Sequence, residues 1–369
     1  DICDRMVATT SPEGRTDRLA YDGAGRVVES HVDGRTVHVD YDHSGRITST
    51  RDALGAVTRY AYDPRGKLVA ATDPLGNTVR IRYDERGNPA AVLDAFGGIV
   101  TTRYDAMRRP VAVTDQLGRT TQLDRDPTGR PVARRLPTGD VVAWIRDPRG
   151  LITDVRINGR DAIVFDHDRT GRPAVVHEPA RNRTFTLSWT PGGRLRSLDV
   201  DGATTTWRHD RDGYATARTT PHGTTTYRRD PTGGVAAVTS DAAGTVELDR
   251  DRDGRLVALR APGVTRTWQH DASGLIAVAT ETSPDGAART ASHTRDANGR
   301  VTETVGTEGT RRYRYDPAGQ IVAATSPAGS WTWAYDEAGR LIAETGPDGA
   351  RAYGYDAAHQ LARVDGPAG

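Results

Sequence analysis

Apolar and polar residues alternate along most of this chain with a period of two, and Gly or Pro interrupts the alternation every six to eight residues. Arg59-Tyr60-Ala61-Tyr62 is typical, with both tyrosines on one face of an extended strand and Arg59 and Ala61 on the other. Asp63-Pro64-Arg65-Gly66 then stops the strand. Asp suits the first position of a type I turn, Pro presets φ at the second, and Gly accepts positive φ at the fourth. Lys67 to Thr72 reads as the returning strand and Asp73-Pro74-Leu75-Gly76-Asn77 as a second turn. The unit is therefore an antiparallel hairpin, and no helix is predicted anywhere in the chain.

The turn recurs in register. Its aspartates are Asp22, Asp42, Asp63, Asp84, Asp105, Asp126, Asp147 and Asp168, spaced by 20 or 21 residues. Thr190 takes the next place, and the series resumes with Asp210, Asp230, Asp251, Asp271, Asp296, Asp316, Asp336 and Asp356. The interval from Asp271 to Asp296 is 25 residues, which predicts a lengthened turn around Glu281 to Gly286. Asp1 and Arg5 stand where Asp22 and Arg26 stand one unit later, and the chain ends at Asp365 to Gly369 inside a further unit. The expectation is one array over 1–369, cut mid-repeat from a longer one, with ends prone to fraying or aggregation.

The best-preserved copies lie in 21–104 and 312–369. They carry Tyr21, Asp22, Gly25 and Arg26; Tyr41, Asp42, Gly45 and Arg46; Tyr62, Asp63 and Gly66; Tyr83, Asp84 and Gly87; and Tyr104 with Asp105. Tyr315, Asp316 and Gly319, then Tyr335, Asp336, Gly339 and Arg340, then Tyr355 and Asp356 repeat the pattern near the other end. Over 125–300 the tyrosine is exchanged for residues such as Arg125, His167, Trp189 and Arg295. Tyr-Asp-x-x-Gly-Arg followed by a short apolar strand resembles the YD repeat of the Rhs family. That family is similar to the shell component of bacterial Tc toxins and to the ectodomain barrel of teneurins. The resemblance implies an all-β fold of hairpins wound as an open, curved or spiral single-layer sheet, part of a hollow shell. It also implies partners: flanking YD repeats of the parent chain and an enclosed C-terminal toxin domain, in a secreted or surface-exposed protein.

Composition fits that reading. Apolar content of 36% with a mean hydropathy of −0.62 leaves little for a deep core, whereas a one-layer sheet needs less. The 40 Gly and 20 Pro recur at turn positions, unlike those of a disordered chain. With 50 basic and 49 acidic residues no global field attracts nucleic acid or an anionic membrane, and no membrane segment is evident. The single Cys3 excludes an intrachain disulfide and a Cys zinc site.

Candidate chemistry is sparse. Asp249-Arg250-Asp251-Arg252-Asp253-Gly254 matches the first half of a calcium loop, but Arg260 stands where the bidentate Glu belongs, so a solvated hairpin turn is expected. His167, His209 and His270 fill the tyrosine position two or more repeats apart, about 19 Å or farther, too far to share a metal. Asp147-Pro148-Arg149-Gly150-Leu151 spells a self-cleavage motif that the resemblance associates with release of the enclosed domain, yet ordinary repeats continue beyond it. No catalytic motif or cofactor loop is found, and no enzyme activity, cofactor or metal is expected. The alternative function is an extracellular carbohydrate- or cell-surface-binding module, with Tyr313, Trp331, Trp333 and Tyr353 as its ligand face beside Tyr315, Tyr335 and Tyr355. A β-propeller would need odd and even repeats to differ, and they look alike. About 34 strands at about 4.8 Å each form a ribbon of roughly 160 Å, expected to wind about once.

Overall fold

The computed structural model describes residues 5–366, so Cys3 lies outside the described residues. It contains 35 antiparallel strands in one open sheet and no α-helix among the described residues. Strands pair with their neighbours in sequence. Val57–Tyr62, for example, pairs with Ile47–Asp52 on one side and Leu68–Thr72 on the other.

The tyrosine-side turn has the predicted chemistry and one feature more. Gly66 N–H donates to Asp63 O at 2.9 Å, closing a type I turn, and Asp63 N–H donates to Lys67 O at 2.9 Å. Gly66, at φ 81°, therefore forms the bulge position of a five-residue connection. Arg108 and His359 occupy the same position at φ 62° and 64°, where a side chain is strained. The second turns vary in length. Asp52–Gly55 and Asp73–Gly76 repeat the five-residue scheme, whereas Asp33-Gly34, Asn158-Gly159 and Asp201-Gly202 are two-residue turns with both residues at positive φ. Pro179–Arg181 makes one short 3₁₀ turn.

The 25-residue interval does not hold a lengthened turn. Gly286 N–H donates to Ser283 O at 3.0 Å and Ser283 N–H to Ala287 O at 2.9 Å, the ordinary five-residue turn. The extra residues lengthen the strands instead, Ile276–Thr282 to 7 and Ala288–Arg295 to 8 residues. Ser283, Pro284 and Gly286 already satisfy the turn, and the β-branched Thr280, Thr282 and Thr290 carry the ladder on.

The buried residues among those described are Ala112, Ala217, Ala237, Ala258, Ala323 and Asn88. All are small. A single layer has no second layer to press larger side chains against, so tyrosines, valines and leucines stay half-exposed. The chain divides into two compact units, one of Asp1–Thr101, Asp249–Leu259 and Gly263–Gly369, the other of Thr102–Leu248 and Arg260–Pro262.

Candidate functional site: a turn ladder and a seam

In each Tyr-Asp turn the aspartate binds its own loop. Asp22 Oδ1 accepts the N–H groups of Ala24 and Arg26, both at 2.9 Å, and Oδ2 accepts Arg26 Nε at 2.7 Å. The arginine then reaches across the repeat boundary. Arg26 Nη1 donates to Asp42 O at 3.2 Å while its guanidinium lies 4.6 Å over the Tyr41 ring. Tyr41 reaches back, donating its hydroxyl to Val27 O at 2.7 Å. Tyr62 to Ile47 O, Tyr83 to Leu68 O, Tyr315 to Val301 O, Tyr335 to Ile321 O and Tyr355 to Leu341 O repeat the bond at 2.8–2.9 Å. The motif is a stitch between consecutive hairpins.

Three of the exchanged positions make the same stitch. Arg125 Nη2 donates to Pro110 O at 3.2 Å, Trp189 Nε1 to Pro173 O at 2.7 Å, and Arg295 Nη2 to Ile276 O at 2.8 Å. Arg146, Arg229 and Arg250 instead donate to the glycine carbonyl of their own turn at 3.1, 2.8 and 3.1 Å, so the register survives the loss of tyrosine through the turns themselves.

Electrostatics follow from these bonds. The carboxyls of Asp22, Asp42 and Asp105 lie below the usual range because the backbone N–H of the arginine four residues on, and then its guanidinium, donate to the charged form. Asp126 and Asp168 are also depressed, chiefly by the Thr128 and Thr170 hydroxyls. Burial raises Tyr315 and Tyr335.

In the first unit, second turns meet Tyr-Asp turns from far along the chain. Asp253 Oδ2 accepts Ser11 Oγ at 2.8 Å and its Oδ1 accepts Glu13 N–H at 3.1 Å, while Glu13 Oε1 accepts Arg252 N–H at 3.1 Å. Asn298 Nδ2 donates to Asp52 Oδ2 at 2.5 Å. His359 Nε2 lies 2.8 Å from Asp94 Oδ2, with the Phe96 ring edge-on at 6.1 Å and the Arg340 guanidinium 4.7 Å over Phe96. These partners are 242, 246 and 265 residues apart. The chain returns to its own edge well within its length, sooner than the winding expected from strand spacing.

Asp253, read from the sequence as part of a half-matched calcium loop, is thus a seam residue whose side chain is 7% exposed. No group of three or more His, Cys, Asp or Glu able to hold a metal occurs among the described residues. Asp147 accepts Leu151 N–H at 3.0 Å and pairs with Arg149, holding an ordinary turn. His167 stacks on Phe165 at 6.3 Å.

The aromatic face divides in two. Tyr313 and Trp331 both lie opposite Ala324, one on each side. Trp333 lies opposite Glu344. The Glu344 carboxyl is held below its usual range first by the Tyr353 hydroxyl, then by Arg351 and Trp333. Ala324 separates Tyr313 from Trp331 across the strands, and Glu344 stands between Trp333 and Arg351. The seam residues Asp52, Asp94, Asp253, Asn298 and His359 were not legible as partners; only His359, standing where the repeat has glycine, departs visibly from the pattern.

Ladder and seam define a hairpin-repeat sheet in which Tyr-Asp turns fasten each unit to the next. The RHS Repeat family matches residues 41–78, 83–120, 295–330 and 335–369, so the hairpin units in these stretches are of the RHS type. Its fold is similar to chains in the crystal structures of TcdB2-TccC3-Cdc42 (15% identical, TM-score 0.78, 96% of this chain and 24% of that one) and TcdB2-TccC3-TEV (13%, 0.74, 94% and 24%). A Photorhabdus luminescens Tc holotoxin pore with a TccC3 mutation is similar at 16% identity and TM-score 0.65, over 97% of this chain and 26% of that one. The chain therefore spans about a quarter of the length of these solved chains, and at such identities the likeness is one of fold. None of the curated proteins matches it. No helix among the described residues is long and apolar enough to cross a membrane.

Proposed function

We propose that this chain is a structural, non-enzymatic segment of an Rhs-type shell that, with flanking YD repeats of its parent, encloses a C-terminal toxin domain and helps deliver it from a secreted or surface-exposed protein. The seam carries the reading. A wall must close against its own earlier hairpins, and Asp253, Asn298 and His359 bind turns 242 to 265 residues away. The fold of the Tc proteins supports it as well. The stitches serve the same end, since each binds a backbone carbonyl and so tolerates a varied sequence.

The test uses the parent gene product. Limited proteolysis should leave a domain downstream of Gly369 intact, and Asn298→Ala with His359→Ala, which open the seam and leave each turn's own aspartate in place, should expose it. A parent without such a domain, or one cut equally fast in both proteins, overturns the proposal.

A further inference from the structure

The repeat breaks its period once, and a groove lies there. Trp268 stands opposite Ala279, Ala279 opposite Ala291, Ala291 opposite Gly306, and Gly306 opposite Gly309. Directly opposed residues share a face, so an indole is followed across four strands by positions with no side chain beyond Cβ. The row runs about 19 Å at about 4.8 Å per strand. It floors a hollow of about 290 Å³. A second hollow of about 290 Å³, between Tyr313 and Trp331, adjoins the first at Arg311.

The lengthened strands supply the rim. Arg289 lies two residues before Ala291, the first residue of its strand paired with Val301–Gly306. It is 3.8 Å from Glu308, which Arg311 also approaches at 3.4 Å; the three side chains are 75%, 66% and 56% exposed, in the order Arg289, Glu308, Arg311. Arg266 pairs with Glu281 at 2.7 Å. Three arginines against two glutamates leave the rim one positive charge, and long, exposed pairs give way readily to a ligand.

We infer that this groove is a binding site for a linear acidic oligosaccharide, with sugar rings on the Trp268 and Tyr313–Trp331 platforms and carboxylates on Arg289 and Arg311. All five strands from Val264–His270 to Gly309–Tyr315 are paired with their neighbours here, so no free edge accepts a peptide as an added strand. Recognition must come from side chains. An indole beside a bare floor accepts the apolar face of a pyranose, and guanidinium groups bind carboxylate in a planar fork. This goes beyond the shell role, which needs no ligand.

The experiment titrates the full chain with a tetrasaccharide of galacturonic acid and, separately, with neutral cellotetraose, following tryptophan fluorescence and calorimetric heat. The acidic sugar should bind more tightly. Trp268→Ala, which removes the platform, and Ala291→Leu, which fills the floor, should each weaken it by about tenfold or more. Arg289→Gln should weaken the acidic sugar alone; its exposed side chain makes it the variant least able to disturb folding, and it decides the matter should either other variant fail to fold. No binding of the acidic sugar at millimolar concentration, equal affinity for the two sugars, or an Arg289→Gln protein indistinguishable from wild type overturns the inference.

Discussion

Replacing Asp336 with alanine tests whether the turn aspartate, rather than the tyrosine beside it, holds a repeat together. Asp336 Oδ1 accepts Ala338 N–H at 3.0 Å and Arg340 N–H at 2.9 Å, and Oδ2 accepts Arg340 Nε at 2.7 Å, with the aspartate side chain 12% exposed. The substitution leaves two backbone donors without their charged acceptor and frees a guanidinium that lies over Tyr355 at 4.8 Å. Hydrogen bonds to charged groups contribute about 1.5–3 kcal/mol each, but water reaches part of this edge, so the expected loss is about 2–3 kcal/mol. Asp336→Asn keeps the Oδ1 acceptor and loses the charge, for about 1 kcal/mol. Hydrogen exchange resolves this locally, as repeat arrays open unit by unit. Amides of Gly329–Tyr335 and Leu341–Gly346 should exchange about 30- to 150-fold faster in the alanine variant. Unchanged exchange there, or equal acceleration across all repeats, would refute the reasoning.

Acid should destabilise the sheet. The carboxyls of Asp22, Asp42, Asp84, Asp105 and Asp115 are depressed in the folded chain, so their contribution is complete above the unfolded value of about 3.9 and is lost as pH falls through the lower folded values. Melting followed by circular dichroism should hold steady from about pH 7 to 5 and drop steeply below about pH 4; a rise in that range contradicts the turn geometry. Arg108→Gly should stabilise by about 1 kcal/mol by relieving φ 62°, whereas Gly339→Val at φ 75° should cost at least about 1–2 kcal/mol and exposed Ala61→Ser almost nothing. Ala323→Leu should cost about 1–3 kcal/mol in denaturant unfolding, because Ala323 is 9% exposed between Arg314 and Thr332.

The hairpin, its register and its tyrosine-side turn were legible because each is local. Asp63, Pro64 and Gly66 act within four residues, and the tyrosines at 60 and 62 alternate within one strand. The lengthened turn was misread for a related reason. A longer interval does not reveal whether loop or strand has grown, and the ladder bonds of Thr282 with Ala288 decided for strand. The seam left no local trace.

The amino-acid order alone determined the strands, the turns and the spacing of the repeat, since φ preference and side-chain alternation operate over a few residues. The stitch was half visible: Arg26 and Tyr41 recur in step, but that one covers the other and that both bind backbone oxygen emerges only when adjacent hairpins lie side by side. What meets what across 242 to 265 residues was decided by tertiary structure alone. Strand twist is a small rotation per strand, and summed over many strands it brings Asp52 beside Asn298 and Asp94 beside His359, a sum that no single repeat encodes.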